Sequence, residues 1–275
     1  MYENYWGLHA NPFESHCGPT FFYESETHQA SLLKLRYLVE NHKGAGLLVG
    51  GVGSGKSFVA QMLAHQLPEK YQPIVHLVFP QMPPAELLAY LAVELGADES
   101  AIGQGTSGLD RTVRQLQQLF MHYTQRGQHP LIIIDEADLI ADQQVFEALR
   151  LLLNFQQQKQ VEFTLLFSGQ CDLIPRLGRM GQLEERLAVK CLLRSLTREE
   201  TAGYVAHRLQ AAGARQPVFE DGALDSLFEL SGGLPRRVNR LCDLALLVGF
   251  ADETRQISAE QIHAVAEELT GVAVE

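Results

Sequence analysis

The stretch that most constrains this chain is the octet Gly50-Gly51-Val52-Gly53-Ser54-Gly55-Lys56-Ser57. It matches the phosphate-loop pattern G-x-x-x-x-G-K-[ST] at each fixed position. The apolar run Leu47-Leu48-Val49 before it reads as a short buried strand. Phe58 to Ala64 after it reads as a helix stopped by Pro68. Strand, glycine loop and helix are the context in which the pattern becomes a site. Glycines let successive backbone N–H groups turn toward phosphate oxygens, and the helix N-terminus adds partial positive charge for the same oxygens. Lys56 is expected to reach the β- and γ-phosphates and the Ser57 hydroxyl to ligate Mg²⁺, with Gly50 through Phe58 forming the nucleotide-contacting stretch. A glycine-rich surface turn would spell the same letters, so the rest of the chain has to decide.

The second strong signal is Leu131-Ile132-Ile133-Ile134-Asp135-Glu136. Four aliphatic residues predict a strand buried on both faces, with two carboxylates emerging at its carboxyl end, where ligands sit in open α/β sheets. Such a pair about eighty residues after an intact phosphate loop predicts that Asp135 holds Mg²⁺ and Glu136 polarises an attacking water. A further strand over Val161–Phe167 closes on Ser168-Gly169-Gln170, and Gln170 or Ser168 could touch the γ-phosphate or that water. The same tip reads equally as a turn whose polar groups satisfy each other.

Around these signals the chain alternates. Tyr23 to Asn41 reads as a helix, Ile74 to Phe79 as a strand ended by Pro80, Pro84 to Leu95 as a helix, and Gly96 to Gly108 as an exposed connection. Thr106 to Tyr123 and Gln143 to Gln157 read as amphipathic helices and Leu187 to Leu193 as the last strand. From Thr197 onward only helices follow: Arg198–Ala212 behind a Thr197/Glu200 capping box, Asp221–Leu230, Arg236–Phe250 after Gly232-Gly233-Leu234-Pro235, and one capped by Ser258 running through Leu269. Strands with helices, then helices alone, predict an α/β doubly wound parallel sheet followed by a small all-helical domain. The expected divisions are an N-terminal aromatic and helical segment packed on the core (1–43), the nucleotide-binding domain (44–195) and the helical lid (196–275). Trp6, Phe13, Phe21, Phe22 and Tyr23 read as packing residues, with an adenine-bordering role as the alternative.

Composition narrows the function classes. Hydrophobic residues at 46% and charged residues at 20% over 275 positions fit a folded globular chain. The balance of 22 basic and 33 acidic residues, net −11, argues against a broad nucleic-acid-binding surface. Cys17, Cys171, Cys191 and Cys242 lie far apart with no C-x-x-C pair, which predicts reduced, structural thiols rather than a disulfide frame or a cysteine zinc site. No leader-like start and no apolar run of about 20 residues is present, so the expected location is cytoplasmic.

Taken together, the phosphate loop, Asp135-Glu136, the polar strand tip and Gly233-Leu234-Pro235-Arg236 resemble an AAA+ ATPase over nearly the whole chain. More narrowly the chain is similar to the ExeA-like group, the general-secretion-pathway protein A ATPases and their pilus-system relatives. The residues that carry this are Tyr2, Trp6-Gly7-Leu8, Asn11-Pro12-Phe13, Phe21 to His28, Ser168-Gly169-Gln170, Gln182 to Arg186 and Ser195 to Thr201. The resemblance implies ATP and Mg²⁺ as ligands, slow hydrolysis by an isolated subunit, a homo-oligomer and an unidentified protein partner. By the same match Arg236 takes the sensor role on the γ-phosphate, and Arg186, with Arg179 second, the arginine lent to a neighbouring subunit. Longer secretion proteins continue into a membrane span and a peptidoglycan-binding module, which are absent from the sequence up to Glu275. Transposition target-selection ATPases look similar over the same region, so a DNA-binding regulator forming ATP-dependent oligomers is the alternative, disfavoured by the net charge.

Overall fold

A computed structural model describes residues 1–14, 18–102, 108–157 and 161–271. They form two compact units. One comprises residues 30–50 and 56–193, the other 1–29, 51–55 and 194–275.

The first unit is built on a parallel sheet of β1 (Ala45–Gly50), β2 (Ile74–Leu77), β3 (Leu131–Ile134), β4 (Thr164–Gly169) and β5 (Leu187–Leu193), in the order β2-β3-β4-β1-β5. All pairings are parallel, with Ile134 opposite Phe167 and Val49 opposite Gly169 and Leu192. Every residue of β1, β3 and β4 is buried, as expected of strands covered on both faces. Edge strand β5 alternates instead, with Lys190 and Leu192 exposed. The covering helices include α2 (Lys56–Gln66), α3 (Pro84–Glu94), α4 (Leu109–Gln125) and α5 (Gln143–Leu153), and two short helices, α6 (Leu173–Gly178) and α7 (Gly181–Glu184), follow β4. Phe120 of α4 stacks on Phe163 at 4.1 Å between ring centroids in the core. Strand order reverses beside β1, which puts the carboxyl ends of β1, β4 and β3 together at the edge where such sheets bind ligands.

Boundaries shift by a few residues from the sequence expectations. The second strand stops at Leu77, and Val78 and Phe79 are exposed because no element covers them. The fourth begins at Thr164 rather than Val161. Part of the 96–108 connection and Cys17 lie outside the described residues. Cys171, Cys191 and Cys242 are free thiols.

The second unit packs α8 (Arg198–Ala211), α9 (Asp221–Ser231), α10 (Pro235–Ala251) and α11 (Ala259–Gly271) around Val205, Leu227, Val238, Leu246 and Ile262. Thr197 and Glu200 form the expected capping box. The first 29 residues group with this unit. Tyr2, Leu8, Phe13 and Phe21 belong to this helical core. Trp6 donates to the Leu246 carbonyl at 3.0 Å, and the buried Arg208 guanidinium donates to the carbonyls of Pro12 (2.6 Å) and Glu14 (2.7 Å). An aromatic stretch without periodicity finds its apolar partners here, and a buried arginine needs those carbonyls to replace lost water.

Candidate functional site

Asp135 follows the last residue of β3, and its backbone N–H donates to Leu77 O at 2.9 Å, so the sheet register sets its position. Its side chain is buried and receives Ser57 Oγ at 2.8 Å on one oxygen, and Ser168 Oγ at 2.7 Å and the Glu136 N–H at 3.0 Å on the other. His76 Nε2 stands 3.5 Å away, an ion-pair distance rather than a formed hydrogen bond. Burial by itself would raise the carboxyl pKa, but the contacts from His76, Ser168, Ser57 and the Glu136 amide outweigh it and hold the group down to about 2. Asp135 is therefore an anion at neutral pH, touching a hydroxyl from the first turn of α2. A carboxylate and a hydroxyl at this spacing are hard oxygen donors of the kind Mg²⁺ prefers, so the residues fit that ion.

Lys56 opens α2 with its side chain buried, and its ammonium donates to Gly50 O at 3.0 Å, holding the charge at the carboxyl end of β1. Glu136 is half-buried and has left-handed backbone angles, φ 49° and ψ 38°. That conformation costs a non-glycine residue about 1–2 kcal/mol and turns the chain sharply out of β3. The strand tip after β4 divides its work. Ser168 bonds Asp135, whereas the Gln170 amide and backbone N–H are bound by Asp138 at 3.1 and 2.9 Å. Asp138 is in turn fixed through its carbonyl by Arg176 at 2.6 Å. Arg186 donates to Asn154 Oδ1 at 3.2 Å, not to Glu184, which pairs with Lys190. Arg179 is exposed at the end of a short helix, Leu173–Gly178.

Gly51–Gly55 group with the helical unit. Gly53 and Gly55 have φ +77° and +97°, values that favour glycine. Gly53 O accepts the backbone N–H of Arg236 at 3.2 Å, and a Cβ on Gly53 would lie 2.7 Å from Arg236 Cβ. His28 bridges the Ser25 hydroxyl (2.6 Å) and Ser54 O (2.9 Å), bracing the loop from α1 (Glu26–Glu40). Ser54 Oγ is buried and has no hydrogen-bond partner among the described residues. A buried hydroxyl donor without an acceptor, in a loop of glycines with positive φ, fits a phosphate oxygen. The Arg236 side chain is exposed at the start of α10, as are Arg237 and Arg240.

His76 and Asp138 were not singled out by sequence, and His28 entered only as the end of the stretch Phe21 to His28, with no role assigned. Each acts through a partner remote in the chain.

A five-stranded parallel sheet with a phosphate-loop octet at the end of β1 and an acidic pair at the end of β3 defines a P-loop ATPase of the AAA+ class. The AAA domain family matches residues 39–177, and the chain belongs to it. General secretion pathway protein A of Aeromonas hydrophila is 32% identical over 276 residues, covering 99% of this chain and 49% of that protein. The chain thus spans about half the length of the curated relative it matches. Among solved structures, Cdc6p of Pyrobaculum aerophilum superposes with a TM-score of 0.75 at 14% identity, covering 94% of this chain and 70% of that one. The ORC2 protein of Aeropyrum pernix, in its ADPNP–ADP complexes, gives 0.71 at 15% identity over 94% of this chain and 71% of that one. At such identities these two attest the fold alone. Among the described residues no helix is long and apolar enough to cross a membrane.

Proposed function

We propose that the chain binds ATP with Mg²⁺ and hydrolyses it slowly as an isolated subunit, and that its nucleotide state governs self-assembly and recruitment of a protein partner in a secretion- or pilus-related system. The observation that carries this reading is the 2.8 Å contact between Ser57 and an ionised Asp135, joining the helix after the phosphate loop to the end of β3. Ser57 and Asp135 would hold the Mg²⁺, which supplies positive charge against the phosphate oxygens. Lys56 would neutralise the β- and γ-oxygens, while the Gly51–Gly55 amides and Ser54 Oγ bind the phosphate chain. Glu136 would accept a hydrogen bond from the attacking water and orient it in line with the γ-phosphorus. Gln170, held by Asp138, is assigned to the water or the γ-phosphate, Arg236 to sensing the γ-phosphate, and Arg186 to the neighbouring subunit's nucleotide. Domain roles follow: 44–195 would contain the chemistry and 196–275 act as the lid.

Phosphate release and binding of a fluorescent ATP analogue test this together. Lys56→Ala should lose binding. Glu136→Gln should bind normally and release phosphate at least 100-fold more slowly, and Arg186→Ala should bind normally but lose turnover in the assembled state. Equal turnover in wild type and Glu136→Gln would overturn the hydrolytic reading. Stimulation by duplex DNA but by no protein partner would favour the DNA-regulator alternative.

A further inference from the structure

The opposite, amino-terminal edge of the sheet has a cluster that none of the chemistry above uses. His42 lies between α1 and β1, His129 two residues before β3 and Glu162 two residues before β4. These strands are neighbours in the order β3-β4-β1, so the sheet itself brings the three residues together. Along β3, His129 and Asp135 are separated by about 20 Å at ~3.3 Å per residue, so the cluster is remote from the phosphate-loop end.

His42 Nδ1 is 2.7 Å from Glu162 Oε2, His129 Nδ1 is 3.9 Å from the same oxygen, and the two imidazole centroids are 4.4 Å apart. The three donor atoms all fall within 4.8 Å of one another. Tetrahedral coordination with bonds of about 2.0–2.2 Å places ligand atoms roughly 3.3–3.5 Å apart, which small side-chain movements would reach.

Hydrogen bonding identifies the tautomer of His129. The Thr164 hydroxyl has one proton, which it donates to Lys43 O at 2.9 Å. It must therefore accept from His129 Nε2–H, also at 2.9 Å. Nδ1 is then the bare nitrogen, on a side chain only 3% exposed, and it has no hydrogen-bond partner among the described residues. Its lone pair faces a carboxylate oxygen, an arrangement that repels unless something positive lies between. The positive charge of nearby Lys70 opposes an added cation, and the Glu162 charge offsets it. Thr164 stands where an outer-shell acceptor orients a metal-bound imidazole. His42 itself adopts φ 52°, a left-handed conformation at the end of α1 that directs its ring here.

We propose that His42, His129 and Glu162 bind one divalent late first-row cation of the zinc class, clamping the entries of three adjacent strands. Two imidazoles and one carboxylate suit zinc and its neighbours, and are poorly matched to Mg²⁺ or Ca²⁺, which take all-oxygen shells. The partial exposure of His42 (41%) and Glu162 (43%) leaves a side open for water as the fourth ligand.

The test uses the full chain, stripped with chelator and titrated with Zn²⁺ by calorimetry and with Co²⁺ by visible absorption. One equivalent of each should bind, Co²⁺ with the intense bands of a tetrahedral site, and Zn²⁺ should raise the melting temperature where Mg²⁺ does not. His42→Ala and Glu162→Gln, both at part-exposed positions that leave the core intact, should each weaken Zn²⁺ binding at least tenfold and abolish the tetrahedral bands. Absence of saturable binding in the wild type, or binding unchanged in both variants, would overturn the assignment. Retained ATP binding in these variants would show that any failure is separate from the nucleotide reading.

Discussion

Replacing Gly53 by alanine tests how the phosphate loop is held. At φ +77° any side chain pays the left-handed penalty, about 1–2 kcal/mol. The new methyl would also sit 2.7 Å from Arg236 Cβ. That atom is the root of a side chain on the first turn of α10, not a flexible end, so loop or helix must move, at about 1–3 kcal/mol for an overpacked contact. Gly53→Ala should therefore destabilise the protein by roughly 2–5 kcal/mol. Removing the opposing carbon separates the two terms. Arg236→Gly should lose at most about 1 kcal/mol on its own. Combined with Gly53→Ala it should restore the 1–3 kcal/mol due to crowding while leaving the backbone penalty in place. Thermal melts of the four proteins measure the cycle, with roughly 2–4 °C for each kcal/mol. If the double variant equals the sum of the singles to within about 0.5 kcal/mol, the close approach of loop and helix is not what constrains this glycine.

Two further outcomes follow from the buried polar groups. Burial lowers the His28 pKa below its ordinary 6.5. The unfolded chain thus takes up the proton first, stability is full above about pH 6.5, and each such group removes up to about 1.4 kcal/mol per pH unit as the pH falls toward its folded value. Melts from pH 8 to 5 should show a shallower acid decline in His28→Asn than in wild type, and parallel curves would contradict this. Ser168→Ala removes one of the donors on the buried Asp135 carboxylate, a charged hydrogen bond worth about 1.5–3 kcal/mol. Urea unfolding at pH 7 should register that loss, and a change under 0.5 kcal/mol would mean water replaces the hydroxyl.

What could be read from the sequence was whatever is written contiguously. The octet, the aliphatic run ending in Asp135-Glu136 and the strand Leu187–Leu193 are local patterns, and the sheet forms around them. The capping box at Thr197 and Glu200 is equally local. The bond of His28 to Ser54 was hidden because it spans 26 positions, and that of Asp138 to Gln170 because it spans 32. The aromatic residues near the N-terminus were visible as apolar, but apolarity does not say which core will take them. The buried Arg208 with its two carbonyl partners and the Trp6 bond to Leu246 fix where that stretch lies.

The left-handed backbone at Glu136 makes that position answer to two incompatible requirements. Glycine would relax the turn and forfeit the acid; valine, isoleucine or threonine would be barred by their branching. Asparagine and aspartate, which tolerate the left-handed region, are the substitutes expected to strain the backbone least. A glutamate here holds its carboxylate at the expense of backbone strain, at the point where the chain leaves the sheet.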